Sequence, residues 1–320
     1  MAKFFKTSLD IGYAQAICDG FRFLGDSAKI RSSDRIAIKP NLTFPTFQRG
    51  VMTNPEAVGA LIAHLKNYTD HITVCESDSG GYNRFSMDEV FQVTGLTEIA
   101  NYYGVRVVNL SYEPSRCIEV DAGWKKIQVP VPTLLLDDTD RFITMPVPKV
   151  HANTVLSVAI KNQWGVIQIP ADRLKLHPLF KHVIYAVNKV MPNPLVVVDG
   201  KFGLTRNGPM RGDVVELNWL AMCDNLFAND VIVAQLMGFS PKKISYLRYA
   251  MKKEGLQAED NHVYSSELSA PDTRFYLSRD WTDYPGLMTF NSRSLAYLGY
   301  ESALAKPLHK LLYVFREPFY

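Results

Sequence analysis

The chain of 320 residues carries 35 basic and 32 acidic residues, which leaves a formal net charge of +3. This near balance argues against a general nucleic-acid binder, because such proteins show a clear basic excess on one face. A hydrophobic fraction of 47% is ordinary for a globular protein, and the length allows one large domain or two closely joined ones.

Predicted strands and helices alternate in the first third of the chain, separated by turns rich in polar residues or glycine. Residues 35–39 predict a strand that stops at Pro40, since proline cannot continue a central ladder. A helix over residues 57–65 follows, with Asn54 as its N-cap and Pro55 at its first position. The next predicted elements are a strand at 72–75, a helix at 87–103 and a strand at 105–110. This order predicts an α/β fold with a mostly parallel sheet flanked by helices.

The rest of the chain is less regular. Residues 124–131 suggest an edge strand or a hairpin arm, and residues 141–145 a buried strand. The apolar run at 195–198 is typical of a strand covered on both faces, and a helix beginning at Ser240 and Pro241 is expected to end at Gly255. We therefore predict a core domain at residues 1–255 and an irregular, aromatic-rich extension at residues 256–320 that packs on it. A division of the core into two lobes near residues 110–140 stays open.

The cysteines and the absence of targeting signals predict a cytoplasmic protein. The four cysteines are too far apart in sequence for a C-x-x-C motif, so we expect free thiols and no iron–sulfur cluster. No secretory signal or apolar segment long enough to span a membrane is visible. The aromatic C-terminal end predicts a docked helix and tail, with a membrane-surface contact or a homo-oligomer contact as alternatives.

Polar residues follow several predicted strands at the points where the strands end. Ligands of open parallel sheets bind beyond the carboxyl ends of the strands, so these residues are expected to share one site. They are Lys39, Asn41, Glu76, Ser77, Asp78, Ser79, Lys149, His151 and Asp199. Lys161 and Asn162 directly follow an apolar segment, which indicates a partly buried cation whose pKa is lowered.

We expect these residues to bind a small anionic molecule, to act on it chemically or to hold a metal ion beside it. His151 is the acid–base candidate because its ordinary pKa lies near neutrality, and Lys149 and Lys161 complete the catalytic set. Glu76, Asp78 and Asp199 are candidate ligands of Mg²⁺ or another divalent metal, and the alternative is that one of them acts as a second base. The turn at residues 77–81 is expected either to present backbone N–H groups to an anion or to be a simple connection. The predicted substrate-binding residues are Lys39, Asn41, Ser77, Ser79, Asn162 and Trp164, with core packing as the alternative for Trp164.

Several motifs in chain order resemble the bacterial and archaeal domain-of-unknown-function family 362 over about residues 35–250. They are Lys39-Pro40-Asn41, Asn54-Pro55-Glu56, Glu76-Ser77, Pro148-Lys149-x-His151, Lys161-Asn162-x-Trp164-Gly165, Val198-Asp199-Gly200, Gly208-Pro209-x-x-Gly212 and Asn229-Asp230. Many relatives carry a ferredoxin-like insertion with cysteine-bound iron–sulfur clusters. This chain lacks those cysteines, so the resemblance does not imply electron transfer through clusters of its own.

A fainter resemblance links Pro148, His151 and Lys161 to the N-terminal domain of nickel-dependent lactate racemase. The Ser-Gly-Gly run that follows the histidine in that family is missing after His151, so only its reaction type, proton transfer at carbon, is implied. The favoured function is an enzyme of the isomerase, lyase or cyclase type that acts on a small anionic metabolite. The alternatives are a redox-linked protein with an external ferredoxin or flavin partner, and a non-catalytic protein that binds an anionic ligand.

Overall fold

The computed structural model describes residues 1–79, 85–260, 262–266 and 268–315. The strands are β1 (Lys3–Ser8), β2 (Ile36–Pro40), β3 (Ile72–Glu76), β4 (Arg106–Asn109), β5 (Ser115–Asp121), β6 (Lys126–Pro132), β7 (Arg141–Met145), β8 (Lys149–His151), β9 (Val155–Ser157), β10 (Leu195–Thr205), β11 (Asp213–Cys223) and β12 (Val263–Tyr264). The helices are α1 (Gly12–Leu24), α2 (Pro55–Leu65), α3 (Met87–Val93), α4 (Leu96–Tyr103), α5 (Thr133–Leu136), α6 (Ala159–Asn162), α7 (Pro170–Leu176), α8 (Phe180–Lys189), α9 (Leu226–Leu236), α10 (Ser245–Glu254), α11 (Tyr284–Asn291), α12 (Arg293–Tyr300) and α13 (Ala305–Phe315).

The central sheet has the strand order β12-β1-β11-β10-β7-β2-β3-β4. The strands from β10 to β4 run parallel to one another, whereas β11 is antiparallel to both β10 and β1. β8 pairs with the far end of β10, where Leu204 lies opposite Lys149, and β5 and β6 form a separate hairpin. The protein is therefore an α/β fold built on a large, mainly parallel sheet, as predicted.

Helices cover both faces of this sheet, and the alternation of side chains in β2 shows how. Ile36 and Ile38 point into the core beneath α1 to α4, while Ala37 packs into the other core, against α6 and α8 to α10. Because successive side chains of a strand point to opposite faces, Lys39 enters the second layer with Ala37. All five residues of β2 are buried, so this lysine ends inside the protein rather than in water.

The elements differ from the prediction at three places, each for a local reason. The helix predicted at 87–103 is two helices, because Gly95 adopts a left-handed conformation with φ 78° between α3 and α4. Pro241 begins a short 3₁₀ turn, and α10 starts only at Ser245 before ending at the left-handed Gly255. β10 extends well beyond the apolar run to Thr205, with a register shift between Gly200 and Phe202.

The C-terminal region contains more regular structure than its composition indicated. β12 adds a parallel strand beside β1, and Arg206 forms an isolated bridge with Leu277. Helix α12 packs on α7, and both α11 and α12 pack on the 3₁₀ turn His177–Leu179. None of the helices in the described part of the chain is long and apolar enough to cross a membrane.

Candidate functional site

A buried ion pair joins the ends of two neighbouring parallel strands. Lys39 at the end of β2 donates a hydrogen bond of 2.6 Å from Nζ to Glu76 Oε2 at the end of β3. The side chains are only 1% and 5% exposed. The second carboxylate oxygen of Glu76 accepts the backbone N–H of Ser77 at 3.0 Å. Burial makes such a pair costly unless its remaining hydrogen-bonding atoms are satisfied, and here the oxygens of Glu76 are.

Gly165 lies directly against this ion pair. A Cβ atom at this position would lie 2.6 Å from Glu76 Oε1 and 3.0 Å from Lys39 Nζ, so no side chain fits here. The Gly165 carbonyl accepts a hydrogen bond from the Ser77 hydroxyl, which itself accepts one from Arg173 Nη2. The segment after α6 is thereby tied to the end of β3.

Arg173 on α7 is a buried cation whose hydrogen-bond donors are taken up by the protein. Its Nη1 donates to the Asp78 carbonyl at 2.7 Å and its Nε to the Ile167 carbonyl at 2.6 Å. Burial lowers the pKa of Arg173 to about 10, and the nearby carboxylates of Glu76 and Asp78 oppose this effect. Arg173 therefore adds positive charge to the site while its fork of donors holds the backbone in place.

Lys149 is 3% exposed and is held by neutral groups instead of a carboxylate. Its Nζ donates to the Val51 carbonyl at 2.7 Å and to Asn41 Oδ1 at 3.3 Å. Burial, followed by the charges of Lys161 and Lys39, lowers the pKa of Lys149 to about 7. Near neutral pH, the ammonium and the neutral amine are therefore both populated.

Lys161 in α6 shares the lowered pKa of Lys149 but not its hydrogen bonds. Burial and the charges of Arg173 and Lys39 lower its pKa to about 7 as well, although part of the side chain remains exposed. No described residue accepts a hydrogen bond from its Nζ, which lies 5.9 Å from the centre of the Phe180 ring. Two titratable lysines thus act on the same region from β8 and from α6.

His151 at the end of β8 is 8% exposed and is held in its neutral form. Its pKa is lowered well below the ordinary value by burial and by the charges of Lys161 and Lys149. Nδ1 accepts the backbone N–H of Asn153 at 3.1 Å, which places the single proton of the neutral ring on Nε2. In this neutral state His151 can donate a hydrogen bond from Nε2–H, while its Nδ1 is occupied by the backbone N–H of Asn153.

Two polar ring atoms beside Lys161 are buried and have no hydrogen-bond partner among the described residues. They are Trp164 Nε1 and His177 Nδ1, and the two rings stack with their centres 5.8 Å apart. Burial and the charge of Lys161 lower the pKa of His177 to about 3, so this ring is neutral as well. Phe290 of α11 packs against His177 at 4.9 Å and thus brings the C-terminal region to the edge of the site.

Three of the predicted substrate-binding residues hold the protein backbone. Asn41 Nδ2 donates to the Val51 carbonyl at 2.6 Å, and the Ser79 hydroxyl donates to the Thr43 carbonyl at 2.7 Å. Asn162 Nδ2 bonds Thr144 Oγ1 at 2.9 Å and the Lys39 carbonyl at 3.2 Å. These side chains fix the strand ends that carry the lysines. Gly80 and Gly81 of the predicted anion-binding turn lie outside the described residues.

The three predicted metal ligands do not share a site. Glu76 faces Lys39, and Asp78 Oδ1 accepts from the Met87 backbone at 2.7 Å. Asp199 accepts from the Tyr13 hydroxyl and the Asn54 backbone, both at 2.7 Å, on the opposite face of the sheet. Within the described residues, no three His, Cys, Asp or Glu side chains are arranged to hold a metal ion. The three carboxylates therefore do not form the expected site for a divalent metal.

Asp230 of α9 holds the start of the short helix that carries Lys161. Its two carboxylate oxygens accept the backbone N–H groups of Ala159 and Ile160, each at 2.9 Å. Burial raises the pKa of Asp230 to about 7, and these N–H groups oppose the increase. Since orphaned N–H groups at a helix start need a partner, Asp230 fixes where α6 begins and so where Lys161 points.

A model of the family described as "Domain of unknown function (DUF362)" matches residues 36–235, which include the lysines, His151 and Asp230. The chain belongs to the DUF362 family.

Among curated proteins, this DUF362 chain is similar to a thylakoid-associated protein from Synechocystis sp. The two are 23% identical over 222 residues, which cover 67% of this chain and 66% of that protein. The match thus spans slightly less than two thirds of the relative's length.

Two solved structures are among those similar to this chain. One is a protein from Thermotoga maritima, with 11% identity and a TM-score of 0.46, covering 78% of this chain and 58% of that one. The other is the lactate racemase apoprotein from Thermoanaerobacterium thermosaccharolyticum, with 13% identity and a TM-score of 0.46, covering 70% and 54%.

The DUF362 protein has a charged cluster formed by Lys39, Glu76, Lys149, Lys161 and Arg173. A small cavity of about 90 Å³ is lined by His151, which lies beside this cluster. It lies between the Gly208–Arg211 loop and α11, where Asp283 and Gly286 complete its wall. Two larger clefts, of about 520 and 510 Å³, lie elsewhere, around His262 and around His64. Neither larger cleft is lined by Lys39, Lys149, Lys161 or Arg173. The buried cations, and not the size of a cleft, therefore identify the candidate site.

Arg173, His177 and Asp230 were not predicted as site residues. Arg173 and His177 are four residues apart in the sequence, a spacing that places both on the same side of a helix. This spacing is the sequence feature from which their proximity could be predicted. Asp230 appeared only as part of a family motif. Its role depends on a contact between α9 and α6 that local sequence does not reveal.

Proposed function

We propose that this protein is an enzyme that binds a small anion beside Lys149, Lys161 and His151 and transfers a proton at a carbon atom of that anion. One observation carries the proposal. Lys39 is paired with Glu76, which leaves Lys149 and Lys161 without a carboxylate partner among the described residues. Buried positive charge without compensation is costly, and an anionic ligand supplies the compensation.

The same lysines support acid–base chemistry. With a pKa of about 7, each amine is about half neutral near pH 7 and can accept a proton, while an ammonium beside it holds the anion. The Nε2–H group of His151 is suited to donate a hydrogen bond to an oxygen on which negative charge develops. A proton taken from carbon by the amine and returned to the same or a neighbouring carbon gives an isomerisation, and loss of a leaving group instead gives an elimination.

Calorimetric titration with inorganic phosphate, malate or pyruvate tests the binding step. Because an anion stabilises both ammonium groups, binding near pH 7 should take up about one proton from the buffer. Titrations in buffers of different ionisation enthalpy measure this number directly. Lys161→Met should roughly halve the uptake and weaken binding, whereas the exposed Lys252→Met is the matched control and should do neither.

Binding without proton uptake, at equal affinity in the Lys161 variant, would contradict the proposal. Turnover is tested separately, by incubating the bound carboxylic acid in deuterated water and following exchange at carbon by NMR. Exchange that depends on Lys149 or Lys161 supports the enzyme.

Anion binding without exchange for any ligand found in freshly purified protein would favour the second candidate, a non-catalytic anion-binding protein. The observation that favours this candidate is that Asn41, Ser79 and Asn162 bond the backbone, which gives the site a rigid, structural character.

A further inference from the structure

The three lysines of the cluster differ in how their amines are engaged. Lys39 Nζ is bound to Glu76, and Lys149 Nζ is bound to the Val51 carbonyl and to Asn41. No described residue accepts a hydrogen bond from Lys161 Nζ, and the residue is only partly buried. A lysine amine that no described residue binds, and that lies beside other cations, has the surroundings of a nucleophile.

The position of Lys161 is nevertheless fixed by the backbone. Asp230 holds the first N–H groups of α6 at 2.9 Å, and Asn188 Nδ2 donates to the Ile160 carbonyl at 3.0 Å. The segment that follows is anchored where Ser77 binds the Gly165 carbonyl. The backbone contacts therefore fix the base of this side chain, while none of the residues that the structure describes binds its amine.

We infer that Lys161 is a nucleophilic amine that forms an imine with the carbonyl carbon of a small 2-oxo acid. This inference rests on the proposed function, because the same cluster binds the carboxylate, and it narrows the substrate class to anions that carry a ketone or aldehyde. Lys149 then holds the carboxylate.

The bond changes balance without a further reactant. The neutral amine of Lys161 adds to the carbonyl carbon, and its nitrogen passes a proton to the oxygen to give a carbinolamine. The hydroxyl group takes up a second proton and leaves as water, the nitrogen releases its remaining proton, and a carbon–nitrogen double bond remains. In the protonated imine the adjacent C–H bond is more acidic, which connects this step to the proton transfer at carbon proposed above.

Reductive trapping with pyruvate and sodium cyanoborohydride tests the inference on the full-length protein. The neutral fraction of an amine with a pKa of about 7 exceeds that of an ordinary lysine roughly 10³-fold near pH 7. The lower nucleophilicity of a less basic amine reduces the advantage by about one order of magnitude. Peptide mass mapping should therefore show Lys161 modified about 100-fold faster than the exposed Lys252 and Lys253 of α10.

Two matched variants and one neutral probe sharpen the test. Lys161→Arg keeps the charge but cannot form the imine and should lose the fast adduct, whereas a variant at an exposed lysine of α10, Lys253→Arg, should still form it. Propanal has no carboxylate, so its preference for Lys161 over Lys252 should be smaller than that of pyruvate.

Modification of Lys161 no faster than of Lys252, or fast modification of Lys149 instead, would overturn the inference. Proton uptake on phosphate binding without an adduct at Lys161 would contradict the imine but not the proposed anion binding. An adduct at Lys161 without any proton uptake on anion binding would contradict the proposed anion site but would still support Lys161 as a nucleophile.

Discussion

Replacing Lys149 by methionine should change how the stability of the protein depends on pH. Burial lowers the pKa of this lysine to about 7, whereas an unfolded lysine titrates near 10.4. Between these values the unfolded chain binds a proton that the folded protein does not, so stability rises as the pH increases. Below about pH 7 both states are protonated and this contribution to the pH dependence disappears.

The size of the effect follows from the proton count. Between about pH 7.5 and 8.5 the unfolded lysine holds nearly one proton and the folded lysine roughly a tenth of one. Over this pH range Lys149 therefore raises the free energy of unfolding by about 1.2 kcal/mol. The Met variant lacks this gain. The hydrogen bonds to Val51 and Asn41 are lost in the variant at every pH, so they shift its stability without changing the slope.

Urea unfolding followed by tryptophan fluorescence at both pH values, in buffers free of multivalent anions, measures the difference. Burial raises the pKa of the Cys75 thiol to about 12, which lowers stability over the same range, but equally in both proteins. The exposed Lys252→Met should behave as the unmodified protein. Equal slopes for the unmodified protein and Lys149→Met would refute the reasoning, because they would show that Lys149 stays protonated when folded.

Three further substitutions test the frame of the site. Glu76→Gln leaves the Lys39 ammonium buried and unpaired and should cost about 3–5 kcal/mol in urea unfolding, with part recovered when Lys39→Met is added. Gly165→Ala brings a methyl group against the same pair and should cost roughly 1–3 kcal/mol, while Gly59→Ala, which meets no atom closer than 3.4 Å, should cost nothing. Asp230→Ala leaves two backbone N–H groups at the start of α6 unpaired; it should cost about 1–3 kcal/mol for each and weaken phosphate binding, and full affinity in this variant would contradict its positioning role.

Much of the sheet could be predicted because its strands are short apolar runs with clear ends. Residues 35–39 and 72–75 were assigned as strands from composition and from Pro40, and the structure places them at Ile36–Pro40 and Ile72–Glu76. The break at Gly95 was not predicted, because the apolar spacing continues across it and only the left-handed backbone interrupts the helix.

The sequence could predict which polar residues lie at the ends of the strands, but not how these residues contact one another. Lys39 and Glu76 stand at the ends of adjacent strands, which sequence order indicated, but their mutual pairing depends on Gly165 leaving room for it. The polar character of Asn162 indicated a ligand, whereas in the structure its amide is taken up by Thr144 and by a strand-end carbonyl. Residue type shows which groups a side chain can bond, but the group that it does bond depends on the tertiary structure.

The region shared with the DUF362 family ends at residue 235, yet part of the wall of the site comes from beyond it. Phe290 packs on His177, Arg279 donates to the Ala152 carbonyl at 2.7 Å, and Asp283 and Gly286 line the cavity at His151. Under the proposed function, relatives that keep these lysines but carry a different C-terminal segment would therefore bind the same chemical group and differ in the rest of the molecule that they accept. Exchange of the segment that holds Arg279, Asp283 and Phe290 would then change selectivity while the buried charges stay the same.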